Sequence, residues 1–285
     1  MSDGKFRVIV LTQGGCEIAI KRLMEIEGID LAGIFIETEV IRRRSLRDRI
    51  VRSLRYDGYT ATALKLGRSL LGADRRKGGN GHSLIESRSQ LQQIANENGI
   101  PLFLLDNFHS QNSIAAIRAV DPDLGILLGT NILRESVFNI PRLGSINLHQ
   151  GLAPYYRGGP SVFWELTNDE RELGITVHFV AAKVDTGDIV LQRTVPLEYD
   201  YSYRLNYQAF IDDFCQKLKA PCANLVADAV QMIAEGTAAP IPQEPSLGKR
   251  YRLPTKRDKN ELKRRLRERR AEATYALAQK ANIGD

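Results

Sequence analysis

Short apolar runs alternate with stretches of helical spacing along most of the chain. FRVIVL (6–11) is a compact β-rich run closed by Gln13-Gly14-Gly15. EIAIKRLMEIEG (17–28) then sets Ile18, Leu23 and Met24 among its apolar positions and stops at Gly28, and LAGIFIET (31–38) is a second apolar run. Strand, helix, strand in this order predicts a parallel βαβ unit, because parallel pairing needs a crossover. Residues 42–95 interrupt the pattern with a basic helical stretch to about Leu71, an exposed loop GADRRKGGNGH (72–82) and a helix from Leu84 to Asn98, read together as a helical insertion. The sheet pattern resumes with IPLFLL (100–105), the helix NSIAAIRAVDP (112–122) and the strand DLGILLG (123–129). The last is apolar throughout, as expected of a strand covered on both faces. A turn-helix (131–141), the strand LGSINLHQG (143–151), a helix up to Asn168, and two pairing strands around the loop AKVDTG (182–187) follow. Beyond Tyr201 the pattern predicts amphipathic helices with a kink or boundary at Pro221, a Pro-rich extended stretch (238–256), and a terminal basic helix with a weak stripe of Leu262, Leu266, Ala273 and Leu277.

The expected fold class is therefore α/β, with a mostly parallel sheet, a helical insertion and a helical C-terminal extension. We expect residues 1–200 to form the sheet-bearing domain, with its insertion at about 42–95, and residues 201–285 to form the extension. No stretch approaches the roughly 20 apolar residues that span a bilayer, and the first residues read as a strand and not a signal peptide, so a cytoplasmic chain is expected. Cys16, Cys215 and Cys222 make no disulfide framework, and His82, His109, His149 and His178 show no ligand spacing, so no metal is expected. The net charge of +6 is concentrated: seven Arg against one Asp in residues 42–56, and twelve Lys or Arg against three acids from Lys249 to Arg270. Patches of this kind suit an anionic partner, such as a phosphorylated small molecule, RNA or an anionic surface, and equally suit solvated helix faces.

The chemistry concentrates in SINLHQGLAPYYR (145–157). Period-two geometry puts Asn147 and His149 on one face of a strand whose carboxyl end is where open α/β sheets bind ligands. An amide and an imidazole there can stabilise charge growing on an oxygen. Asp185, in a Val-Asp-Thr-Gly-Asp turn between two apolar strands, adds a carboxylate that a pocket can hold. Together they are the parts for acyl transfer by direct attack of an amine. Ser145 shares the Asn147 face, but Gly-x-Ser-x-Gly is absent, so no covalent nucleophile is expected.

Asn147-x-His149, the Leu-x-Pro-x-Tyr-Arg-Gly of 152–158, Thr176-Val-His178 and Val184-Asp-Thr-Gly-Asp188, in this order, resemble the formyltransferases that act on methionyl-tRNA, glycinamide ribonucleotide and amino-sugar nucleotides. The resemblance covers about residues 5–36 and 95–200. It implies a Rossmann-like fold and 10-formyltetrahydrofolate as cosubstrate, with Asn147, His149 and Asp185 as catalytic residues. Asn147 and His149 would hold the formyl oxygen, and Asp185 would orient the histidine and a water. The pterin would lie between the 123–129 strand and the 181–188 loop, against Leu127, Gly129, Asn131, Ile132, Val184 and Asp188, with Asn131 otherwise capping the next helix. On the amine side stand Gly14 and Gly15, either a contact or a plain tight turn, then Tyr155, Tyr156 and Arg157, either contacts or loop packing, and His178. Gly151-Leu-Ala-Pro154 departs from the usual Ser-Leu-Leu-Pro of the family, and the helical tail does not look like the β-barrel appendage of the transfer-RNA enzymes. The expected acceptor is therefore a small, phosphorylated amine, an amino-sugar nucleotide first. Methionyl-tRNA formylation, 10-formyltetrahydrofolate hydrolysis and non-catalytic anion or RNA binding are the alternatives, and a homodimer is compatible with the arm or the terminal helix.

Overall fold

The computed structural model describes residues 4–38 and 79–283. The basic stretch expected over 42–71 and the start of the 72–82 loop lie outside the described residues.

Seven strands form the main sheet: β1 (Phe6–Thr12), β2 (Ile29–Glu37), β3 (Leu102–Leu105), β4 (Leu124–Leu128), β5 (Ser145–His149), β7 (Glu172–Phe179) and β8 (Ile189–Pro196). Their order is β3-β2-β1-β4-β5-β7-β8. The first five run parallel, and β7 and β8 continue antiparallel beyond β5. The fold is thus α/β with a mostly parallel sheet, as its apolar runs predicted. Winding reverses between β1 and β4, so the loops leaving their carboxyl ends part and open a crevice there.

Side chains of β1 alternate between two cores. Val8 and Val10 join one apolar cluster with Ile20 and Leu23 of α1 (Glu17–Met24) and Leu91 and Ile94 of α2 (Gly79–Glu97). Ile9 and Leu11 join another with Ile114 and Ile117 of α3 (Gln111–Ala119) and Val137 and Phe138 of α4 (Glu135–Phe138). Period-two alternation with both faces apolar is what a sheet buried on two sides requires. Ser110 caps α3, its hydroxyl accepting from the Ser113 N–H at 3.1 Å.

Three details differ from the sequence reading. Helix α2 begins at Gly79, inside the stretch expected to be a loop, because extending a nucleated helix costs little per residue. Met24 and Ile18 of α1 are partly exposed, while Ala19, Ile20 and Leu23 carry its buried face. Pro221 neither ends nor splits its helix: after the short α5 (Phe163–Thr167), α6 runs unbroken from Tyr207 to Ala234. Leu218, Cys222, Ala223, Leu225 and Val226 are buried on both sides of the proline. Their burial offsets the roughly 3 kcal/mol that an interior proline costs.

Helix α6 and the first turns of α7 (Lys256–Ile283) share the apolar core of the sheet, through Phe210, Val226, Leu262 and Leu266 among others. Arg265 and Arg269 of α7 donate to the carbonyls of Thr167 (2.6 Å) and Leu166 (2.8 Å), satisfying orphan acceptors at the end of α5. A two-stranded parallel ribbon, β6 (Tyr156–Gly158) with β9 (Lys249–Tyr251), straps the chain beyond α6 onto the loop that follows β5.

Candidate active site

The loop between β7 and β8 folds Asp185 back over the end of β5 with a φ of 54°. A non-glycine residue held in the left-handed region is uncommon and must be over-determined by its surroundings. Here those surroundings are two imidazoles and a backbone amide. The Gly158 N–H donates to Asp185 Oδ2 at 2.9 Å. His149 Nδ1 lies 3.7 Å from Oδ2, and His178 Nε2 lies 3.5 Å from Oδ1. Asn147 Nδ2 is 3.3 Å from the same His178 Nε2. All three expected catalytic residues therefore converge, and His178 joins them.

The rings are fixed from behind. His178 Nδ1 donates to the Phe179 carbonyl at 2.7 Å, which leaves Nε2 to accept from the Asn147 amide or, when protonated, to donate to Asp185. With one amide hydrogen on that ring, Asn147 keeps a second for an incoming oxygen. His149 Nε2 donates to the Tyr156 carbonyl at 2.7 Å. In neutral His149, Nδ1 then carries a lone pair that faces the Asp185 carboxylate across 3.7 Å. Two acceptors opposed at that distance favour a proton taken up by the imidazole, which the carboxylate then faces.

Burial pushes the pKa of His149 below its ordinary 6.5, only partly opposed by the charge of Asp185. Burial alone would raise Asp185, but the His178 hydrogen bond, the charge of His149 and the Gly158 N–H outweigh it and hold the carboxyl at about 2. Near neutrality the pair is a neutral imidazole beside a carboxylate. Each depressed group contributes stability that is full above its unfolded value and lost as pH falls through its folded value. The His149 contribution should therefore fade as pH drops below 6.5, and that of Asp185 between about 4 and about 2. Glu165, raised to about 7 by burial, works with the opposite sign near neutrality. The His149 contribution is accordingly read as the difference between thermal midpoints of wild type and His149→Gln, which should shrink on acidification from pH 7 to 5; a difference that widens would contradict it.

Two cavities flank this cluster. The larger, about 360 Å³, lies at the β1/β4 crevice and is lined by Gly14, Gly15, Ile18, Gly129, His149 and Lys219 among others. The smaller, about 160 Å³, is lined by Leu127, Asn131, Ile132, Asn147, Val184 and Asp185 with their neighbours. Of the residues expected around a pterin, Leu127, Asn131, Ile132 and Val184 border the smaller cavity. Gly129 borders the larger one instead, because the left-handed turn it makes (φ 66°) carries the chain towards Gly14. Asp188 is exposed, borders neither cavity, and uses its carbonyl to pair with Phe179. On the amine side Gly14 and Gly15 do line the larger cavity, whereas His178 lines the smaller.

Tyr155, Tyr156 and Arg157 line neither cavity. Tyr155 is exposed; Tyr156 bonds Glu170 and Asn168 through its hydroxyl and stacks on Tyr251 at 5.1 Å; Arg157 donates to the carbonyls of Pro154 and Pro245. They pack the loop because β9 lies against it, a pairing that the extended 238–256 stretch did not signal. Lys219 and Gln150 of the larger cavity were also missed, the first because it sits on a helix that reads only as amphipathic. Burial keeps the thiols there protonated, raising Cys16 to about 12 and Cys222 to about 11. Among the described residues no group of His, Cys, Asp and Glu is placed to hold a metal ion, and no helix is long and apolar enough to cross a membrane.

The family model for formyl transferase matches residues 75–213, a span that contains every residue of the cluster. Over that span the chain is similar to the formyl transferases. It is 32% identical over 163 residues to a methionyl-tRNA formyltransferase of Parabacteroides distasonis, covering 57% of this chain and 48% of that protein. A methionyl-tRNA formyltransferase of Roseiflexus sp. is 31% identical over 170 residues, covering 59% and 49%. The chain thus aligns with about half the length of these relatives. Among solved structures, the phosphoribosylglycinamide formyltransferase of Anaplasma phagocytophilum superposes with a TM-score of 0.53 at 18% identity, covering 87% of this chain and all of that one. A sugar N-formyltransferase of Shewanella sp. gives 0.52 at 15% identity, covering 90% and 86%. The fold is therefore that of the formyltransferases.

Proposed function

We propose that the protein transfers the formyl group of 10-formyltetrahydrofolate directly to a primary amine. The observation that carries this reading is the division of the two cavities by the end of β5. Asn147 and Asp185 face the smaller, His149 faces the larger, and His149 and Asp185 approach to 3.7 Å where the two adjoin. The smaller cavity suits the ring end of the donor. Its floor is apolar (Leu127, Leu133, Val180, Val184), Asn131 offers polar contact, and Ile132, 71% exposed, stands at its lip. At 160 Å³ it is below the ~300 Å³ of a complete small-molecule site, which fits one fused ring system with the remainder of the folate outside.

When bound, the folate supplies a formyl carbon whose bond to a weakly basic nitrogen breaks as the amine attacks. The free Asn147 hydrogen stabilises the formyl oxygen as it gains charge. His149 Nδ1 accepts the proton that the amine must lose, and Asp185 stabilises the imidazolium so formed before the proton passes to the departing nitrogen. Holding amine and carbonyl against the same cluster supplies proximity.

For the acceptor we propose a small anionic amine, an amino-sugar nucleotide first. Lys219 at the larger cavity supplies positive charge, and residues 207–283 form two long helices and a short strand. The methionyl-tRNA enzymes among the sequence relatives favour a second reading, in which the basic face of α7 meets phosphates. Purified protein, 10-formyltetrahydrofolate and a panel of amino-sugar nucleotides and methionyl-tRNA decide between them. The expected result is one tetrahydrofolate per formylated sugar amine, with little dependence on salt. Formylated tRNA made at a rate falling steeply with salt would select the second acceptor. Formate release without any amine would replace transfer by hydrolysis.

A further inference from the structure

A buried carboxylate outside both cavities gathers the loops that build them. Glu37 ends β2 and is 6% exposed. Its Oε2 accepts from Gln13 Nε2 at 2.9 Å and Asn131 Nδ2 at 3.2 Å, and its Oε1 accepts from the Phe108 N–H at 3.2 Å. The three donors come from three separate loops, after β1, β4 and β3. Gln13 immediately precedes Gly14 and Gly15 of the larger cavity, and Asn131 with Ile132 and Leu133 walls the smaller. Arg88 of α2 clamps the same junction, donating to the Gln13 carbonyl at 3.1 Å and the Glu37 carbonyl at 2.9 Å.

Glu37 lines neither cavity, so it serves the reaction only through its partners. A polar group this deep is costly unless fully bonded, and an apolar residue would close the strand end more cheaply. What the carboxylate adds is a common anchor: the β1 and β4 loops part at the crevice, and one side chain holds both. We infer that Glu37 is a positioning residue that sets the spacing of the donor and acceptor cavities as a pair, an inference that rests on the function proposed above.

The test compares Glu37→Ala, Glu37→Gln, Gln13→Ala and Asn131→Ala in steady-state transfer and in amide hydrogen exchange without ligands. Glu37→Ala should raise KM for donor and acceptor together, each about tenfold, because three donors lose one acceptor. Gln13→Ala should raise only the acceptor KM, Asn131→Ala only the donor KM, and Glu37→Gln should recover most of the loss. In exchange, Glu37→Ala should speed residues 13–16 and 129–133 together by at least about tenfold while β1 and β4 keep their protection. Faster exchange in only one of these loops, or throughout the sheet, overturns the inference. If wild type transfers no formyl group, the proposed reaction falls, and the paired change in exchange still decides whether Glu37 couples the two walls.

Discussion

Replacing Asp185 with asparagine is expected to lower formyl transfer at least about a hundredfold, within the 10²–10⁴ that a positioned acid or base contributes, with the thermal midpoint close to wild type. Asparagine keeps an oxygen for the Gly158 N–H, so the loop retains its 2.9 Å anchor. It loses the negative charge that faces the lone pair of His149, so an imidazolium there is no longer stabilised. The loss should fall on kcat more than on either KM, since Asp185 acts on the proton and not on the ground-state fit. Initial rates at saturating donor, paired with a melting curve, make the check. Turnover within a fewfold of wild type in a folded variant would remove Asp185 from the chemistry.

Gly187→Ala should damage both folding and turnover. A Cβ at this position would overlap the Phe179 carbonyl at the end of β7, a backbone atom that cannot swing away. The loop must lift, and Asp185, two residues earlier, lifts with it. Overpacking against a rigid neighbour costs about 1–3 kcal/mol, so the thermal midpoint should fall by several degrees. Displacing the carboxylate from both histidines should cost a further hundredfold or so in rate, comparable to losing one oxyanion donor. Thermal melts and rates measured below the midpoint separate the two effects. An alanine variant with unchanged midpoint and rate would mean that the loop tolerates the shift, and that the position of Asp185 is not critical.

Much of this arrangement was legible before any coordinates. Apolar runs such as DLGILLG marked strands buried on both faces, and the period of β5 brought Asn147 and His149 to one strand end. The turn at 184–188 announced a carboxylate beside them. What escaped were features that depend on distant chain. β9 is three residues long and becomes a strand only by pairing with β6, so it carries no periodic signal of its own. Tyr156 invited a reading through its side chain, whereas its carbonyl is what holds His149. Glu37 carried no signal inside the run LAGIFIET, and only the topology shows that three loops meet there. Pro221 spoke locally for a break, and long-range burial along α6 overruled it.

Helix α6 straddles the end of the matched span. The family match ends at Asp213, yet Lys219, Cys222 and Ala223, which wall the larger cavity, lie beyond it. The cluster of Asn147, His149, His178 and Asp185 thus lies inside the matched span, while one side of the larger cavity is built from residues beyond it. On the function proposed above, exchanging a few residues along a single turn of that helix is expected to change which amine is admitted while the cluster keeps its geometry.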